Sequence, residues 1–144
     1  MNAEKSLVEA ATSRAVLAAF YSVYRDLGYG FLEAVYENSL TTLLRRRGMH
    51  VVQQAPIEVH YLGNLVGEYR ADLMVERKLI VEVKSATQLR PIHDAQLINY
   101  LRATGFPLGL LLNFGPRPDF RRKVNSNPLC RARPRPSALV RGKE

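Results

Sequence analysis

One cysteine, Cys130, occurs in 144 residues. No internal disulfide can form, so packing alone must hold the fold. Such usage suits a reducing compartment, and a cytoplasmic location is expected. Cys130 lies among prolines and arginines, with no histidine near it in sequence, which argues against a nucleophilic role. No apolar run approaches the ~20 residues of a membrane helix, so no membrane partner is expected. The opening residues, Met1 to Ser6, are polar and lead into a helical pattern. They lack the basic segment, apolar core and cleavage site of a secretory signal. His50 and His60 show no metal-ligand spacing with each other or with Cys130, which sets a zinc site aside. No Gly-rich phosphate loop follows a strand pattern, and no Gly-x-Ser-x-Gly is present. Nucleotide hydrolases, dinucleotide enzymes and α/β-hydrolases are disfavoured on that ground. There is no internal repeat.

What is present is basic and ordinarily apolar. The net charge is +8, the pI about 10.0 and the hydrophobic content 47%. The length fits one domain able to bury a real core. The charge favours a polyanionic partner, chiefly nucleic acid. About half of the excess sits in residues 125–144, on Arg131, Arg133, Arg135, Arg141 and Lys143 against Glu144. That stretch alternates proline with arginine and has little to pack. It reads as a disordered basic tail behind a domain of residues 1–124.

Within 1–124 the hydrophobic period changes from helical to alternating and back. Leu7, Ala10, Ala11, Val16, Leu17, Phe20, Val23 and Tyr24 mark a helix over 5–26. Gly28-Tyr29-Gly30 breaks it. Leu32, Val35, Tyr36, Leu40, Leu43 and Leu44 mark a second helix from about Phe31 to Arg47, with arginines in its last turn and Gly48 beyond. Val51–Gln53 and Ile57–Tyr61 read as two short strands. Gly63-Asn64 signals a hairpin into 65–75. Glu76-Arg77-Lys78 turns the chain into a strand over 79–84, apolar on both faces at first and therefore central. Pro91 opens a helix to Thr104, closed by Gly105, and Leu108–Phe114 is a buried strand. This order predicts an α/β fold, a three-layer α/β/α sandwich around a central mixed sheet.

Two charged side chains on the central strand need an explanation. Glu82 and Lys84 are two apart, so they share a face. An unpaired buried carboxylate is costly, and a metal or the lysine would lower that cost. Taken alone, Glu-x-Lys is more often a plain salt bridge at a strand end. Asp72 shifts the balance. A three-residue loop, Glu76 to Lys78, sets Val75 opposite Leu79 and hence Asp72 opposite Glu82. Two carboxylates that close repel unless a cation lies between them. A two-residue loop would set Asp72 opposite Val83 instead. Such an oxygen-rich site suits Mg²⁺ or Mn²⁺ and phosphodiester chemistry, with the lysine orienting water or stabilising developing charge.

Asp72 followed by Glu82-Val83-Lys84 resembles the core of the PD-(D/E)XK nuclease superfamily. Gly30-Phe-Leu-Glu33-Ala-Val-Tyr36 is similar to the GxxExxY signature of a family of small proteins within it. Gln96-Leu-Ile-Asn-Tyr100 resembles the QxxxY motif of the RecB-like branch. Leu110 to Gly115 resembles the closing strand. The resemblance spans roughly 27–123, and the motifs fall in the family's order. Ala71 stands where the superfamily name has proline. The resemblance implies a restriction-endonuclease-like fold and a nuclease needing Mg²⁺ or Mn²⁺. It implies Asp72 and Glu82 as main metal ligands, the Val83 carbonyl as a third and Glu33 as an aid to the metal shell. Lys84 would be the catalytic lysine, and Gln96 and Tyr100 would steady the site or touch nucleic acid. Arg70, Arg90, Arg121 and Arg122 are candidate phosphate contacts. DNA is the expected substrate, with RNA the alternative.

Plainer readings stand beside these. Glu33 lies in a helix's first turn, where the dipole favours a carboxylate without any chemistry. Tyr36 is as readily a core aromatic. His93, near a helix start, is most simply a local hydrogen-bonding residue. As a whole, the chain could be an inactive nuclease-fold module that binds nucleic acid or a protein. It could also be a subunit of a homodimer or larger complex that docks through its alanine-rich first helix.

Overall fold

The structure, a computed structural model, describes residues 3–125. Three helices and five strands follow in the order α1 (Ala3–Leu27), α2 (Glu33–Arg46), β1 (Val51–Tyr61), β2 (Asn64–Val75), β3 (Leu79–Lys84), α3 (Pro91–Thr104), β4 (Leu108–Phe114) and β5 (Pro118–Val124). The strands form one sheet in chain order. Only β3 and β4 run parallel; the other neighbours are antiparallel. The parallel pair is joined through α3, since a parallel connection needs a crossover. Among the described residues no helix is long and apolar enough to cross a membrane. The predicted basic tail, apart from Asn125, lies outside the described residues.

Both faces of the sheet are covered, which explains why β3 and β4 are apolar almost throughout. Val81, Val83, Leu110, Leu112 and Phe114 pack with Val16 and Phe20 of α1 and with Tyr36, Leu40 and Leu44 of α2. The intervening Ile80 and Leu111 pack with Leu97, Tyr100 and Leu101 of α3. The strand period of two thus sorts neighbouring residues into opposite layers. Phe114 anchors the first layer. Tyr36 stacks on it with centroids 4.4 Å apart, and Phe20 meets it edge-on at 4.8 Å.

Three sequence expectations need correction. The two strands expected over 51–61 are one, β1. Pro56 lacks a donor, and β1 is an edge strand with a single neighbour, where proline is tolerated. The basic stretch Arg121-Arg122-Lys123, expected only as charge, lies within strand β5 on β4. β5 is also an edge, where charged side chains discourage further pairing and hide the apolar alternation. The second helix begins at Glu33 rather than at Phe31. Gly28 to Leu32 form a loop instead, pinned by Tyr36. The Tyr36 hydroxyl donates to the Gly28 carbonyl at 2.7 Å and accepts the Phe31 N–H at 3.2 Å. At the other end, Asn125 ties β5 to the end of α3. Its N–H donates to the Pro107 carbonyl at 2.9 Å, and its amide reaches the Leu101 carbonyl at 3.0 Å.

The segment leaving β3 is held by β4. Asn113 takes both polar groups of Ala86: its Oδ1 accepts the Ala86 N–H at 2.9 Å, and its Nδ2 donates to the Ala86 carbonyl at 3.0 Å. The backbone of Ala86 lies against Gly115, where a Cβ would stand 2.1 Å from the Ala86 oxygen. Gly115→Ala is therefore expected to lower stability by about 1–3 kcal/mol through overpacking. Gly67→Ala, whose Cβ would meet nothing closer than 3.4 Å, serves as the control and should change little. Urea denaturation of the two variants checks this; equal midpoints would contradict it.

Candidate active site

The β2–β3 ladder pairs Val75 with Leu79, Met74 with Ile80 and Leu73 with Val81, and there it stops. The three-residue turn is as the sequence requires, and the next opposing residues are Asp72 and Glu82. Instead of continuing backbone to backbone, the strands are bridged by their carboxylates. Glu82 Oε2 accepts the Asp72 N–H at 2.9 Å, and Asp72 Oδ2 accepts the Val83 N–H at 2.7 Å. Backbone N–H groups at a sheet interior must find acceptors, and here two acidic side chains supply them. The cost is electrostatic. Glu82 is only 5% exposed. Burial, then the nearby Asp72 charge, raises its pKa from 4.5 to about 8, against the Asp72 N–H bond and the Lys84 charge. Burial also raises Asp72, opposed by the Val83 N–H and by Lys84.

Glu37 is the residue that sequence reasoning missed. It is buried on α2, one turn beyond Glu33, and its charge pushes both Asp72 and Glu82 upward. Two amides from β1 satisfy it. Gln53 Nε2 donates at 2.7 Å, and Gln54 Nε2 lies 3.0 Å from both carboxylate oxygens. The same Gln54 amide lies 3.4 Å from Asp72 Oδ1. Gln54 thus bridges α2 to β2. It does so from a left-handed backbone, φ 54°, a conformation that costs a non-glycine residue energy. Arg70 helps to hold it there, its Nη1 donating to the Gln54 carbonyl at 2.9 Å. The face alternation reverses at this point. Val51, Leu73 and Val75 pack with α1 and α2, whereas Ile57 and Ala71, also odd-numbered, pack with α3. The helical spacing of Glu37 from Glu33 could have flagged it. Nothing local marks the left-handed turn at Gln54.

The remaining predicted residues divide. Glu33 reaches the end of β3, where its Oε2 accepts the Ser85 N–H at 3.2 Å, next to Lys84. Lys84 is half-buried, and no carboxylate lies within ion-pair distance of it among the described residues. Tyr100 is buried on the α3 side. Its hydroxyl pKa is raised by burial and by the charges of Glu82 and Asp72, and Gln96 Nε2 lies 3.2 Å from its oxygen. His93 Nδ1 accepts the Arg90 N–H at 3.1 Å, the local role expected of it. Burial, then Lys84, holds its pKa down.

The arginines do not form one surface. Arg90 is exposed at the start of α3. Arg121 is committed to Asp94, Nη1 to Oδ2 at 2.5 Å, with Lys123 3.2 Å from the other oxygen. Arg122, next along β5, points to the opposite face of the sheet.

No group of three or more His, Cys, Asp or Glu side chains able to hold a metal occurs among the described residues. The donor set fits a hard cation nonetheless. Mg²⁺ is commonly held by one or two carboxylates with water and substrate phosphate, not by a protein cage. Asp72 and Glu82 form such a pair, and their mutual repulsion is what a cation would relieve.

A mixed five-stranded sheet with helices on both faces, and acidic residues where a central ladder opens, defines a restriction-endonuclease-like α/β fold. A sequence model of the PD-(D/E)XK nuclease superfamily matches residues 10–124. The chain belongs to that superfamily. It is also similar in fold to the crystal structure of SSO0001, with a TM-score of 0.52 and 19% identity over 64% of this chain. The match spans 50% of SSO0001, so it shows the fold alone. No protein of curated function matches the sequence significantly.

Two predictions follow from the carboxylates. Glu82 has a raised folded-state pKa, so the folded chain binds more protons than the unfolded chain between pH 4.5 and about 8. Stability of the metal-free protein should therefore fall as pH rises through that window. Glu82→Gln should flatten the decline, read from urea denaturation in EDTA at pH 5 and pH 8; an unchanged slope would refute this. Gln54→Ala should cost about 1–3 kcal/mol by stripping donors from buried Glu37. Gln54→Gly should cost less than Gln54→Ala, because glycine also relieves the left-handed backbone. Equal losses would show that the backbone there is unstrained.

Proposed function

We propose that this chain hydrolyses phosphodiester bonds of nucleic acid, with DNA as the substrate, and depends on Mg²⁺ or Mn²⁺. Membership of the nuclease superfamily supplies the coarse class. The observation that carries the proposal is the pair of carboxylates bridging the broken ladder, with Lys84 two residues along the same strand. In this reading Asp72, Glu82 and the Val83 carbonyl hold the ion, and Glu33 orders its water shell. A divalent ion there would polarise the phosphoryl oxygen and lower the pKa of water.

The chain's own groups have separable tasks. Lys84, free of an ion-pair partner among the described residues, offers a cation and three donors to a phosphate oxygen or the attacking water. The Val83 N–H holds one Asp72 oxygen, and the Gln54 amide, itself bound by Glu37, lies 3.4 Å from the other. Tyr100, with Gln96 behind it, presents a neutral hydroxyl beside the carboxylates. Arg90 is the best placed of the arginines for a phosphate. Asp94 already neutralises Arg121, so Arg121 would contribute by holding β5 to α3. GxxExxY and QxxxY likeness supports a place in the RecB-like branch, and cysteine usage supports a cytoplasmic setting.

A second reading, an inactive nucleic-acid-binding module, draws on the lack of a three-ligand cluster among the described residues. One experiment separates the two. Single-stranded and plasmid DNA are incubated with the chain and Mg²⁺, Mn²⁺ or EDTA. The expected result is metal-dependent cleavage that falls about 10²–10³-fold in Lys84→Ala and in Glu82→Gln, which keeps an acceptor for the Asp72 N–H, with the melting curve of Lys84→Ala retained. Binding without cleavage under either metal would favour the module.

A further inference from the structure

We infer that the loop from Gly28 to Leu32 is a stacking platform for an unpaired nucleobase, which makes single-stranded nucleic acid the preferred substrate. The inference rests on the nuclease reading and adds the substrate's form.

The loop carries two exposed aromatic rings next to the site. Tyr29 is 62% exposed, Phe31 48% and Leu32 79%. Three large apolar side chains are thus exposed within one five-residue loop. The loop is also rigid at both ends. The Tyr36 hydroxyl bonds Gly28 and Phe31, as described, and its ring meets Phe31 edge-on at 6.1 Å. Tyr36 is itself fully buried and stacked on Phe114. Gly28 and Gly30 carry φ values of 69° and 114°, which turn the chain so that Tyr29 stands outward between them. A rigid aromatic loses little freedom when a ligand stacks on it.

Position selects the ligand. The residue after Leu32 is Glu33, which holds the Ser85 N–H beside Lys84. The platform therefore adjoins the carboxylate–lysine site, and a strand whose phosphate lay there would bring a neighbouring base to the loop. Arg90 lies in the same neighbourhood, since it, Glu33 and Lys84 all act on His93. A base offers its face to an aromatic ring only when it is unpaired and splayed; in a duplex both faces are covered. The exposed Tyr69, 5.7 Å from Tyr100 by ring centroids, adds an aromatic on the α3 side. An apolar patch could instead seat a protein. The net +4 that remains on residues 1–124 (8 − 4 without the tail) and the proximity of Lys84 and Arg90 favour a polyanion.

The test uses the full chain in EDTA, so that binding is read without cleavage. The probe is a short single-stranded DNA carrying 2-aminopurine, alongside the same sequence as a duplex. The single strand should bind more tightly and its fluorescence should be quenched. Tyr29→Ala and Phe31→Ala should each weaken binding about 5- to 100-fold and relieve the quenching. Tyr29→Phe and Phe31→Tyr, which keep the ring, should retain both. Equal binding of strand and duplex, or alanine variants that bind and quench like the parent, would overturn the inference. So would self-association of the parent, by sedimentation, that the alanine variants abolish while nucleic-acid binding persists. The nuclease reading is scored separately. If the parent cleaves and Lys84→Ala does not, that reading stands even where the loop proposal fails.

Discussion

The fold turns on one substitution of partners. At the fourth rung from the β2–β3 turn, two backbone N–H groups exchange backbone acceptors for carboxylates. The exchange keeps the sheet satisfied, so the strands can part without leaving orphaned donors. It also obliges two acids to approach each other where water is scarce. One of them must then be neutralised, by a proton or by a cation. Stability and ligand affinity are thus set against each other at Glu82, and the rest of the site manages that tension. Lys84 and the amides of Gln53 and Gln54 draw charge down; Glu37 adds to it.

The two layers of helices are best understood as supports for that opening. α2 delivers Glu33 to the end of β3 and Glu37 to the Gln54 amide. α3 brings Tyr100 from the other face. β4 pins Ala86 through Asn113 and Gly115, which fixes the chain just after Lys84. α2 and β4 therefore contribute polar contacts around the opening as well as apolar burial. Burial alone would stabilise many arrangements of the same layers; the polar contacts select one.

Much of this could be read from the sequence, for identifiable reasons. The layer order and the buried β3 and β4 follow from strong periodicities. The turn at Glu76 to Lys78 determines the register, and with it the meeting of Asp72 and Glu82. The edge strands were harder. β1 contains Pro56 and a left-handed Gln54, and β5 is basic, so neither shows clean alternation. Both are stabilised by a single neighbour, a tertiary effect that overrides local preference. Glu37 lies outside every motif. Its partners come from β1, 16 and 17 residues away, and no local pattern announces a long-range amide pair.

The signature motifs divide when their side chains are followed individually. In Gly30-x-x-Glu33-x-x-Tyr36, only Glu33 reaches the end of β3. Tyr36 is core, and its hydroxyl staples the loop; Gly30 lets the loop turn. In the closing strand, Asn113 and Gly115 act on Ala86 rather than on any reacting group. The polar and glycine positions of these motifs are therefore mostly scaffolding around few chemical groups. The consequence bears on how such a site tolerates change. Loss of Lys84 removes a charge and leaves the frame, whereas loss of Tyr36 or Asn113 removes the frame and leaves the charges. The first kind of loss would appear in catalysis without stability, the second in both. Motif conservation by itself would not tell them apart; the hydrogen-bond partners of each side chain do.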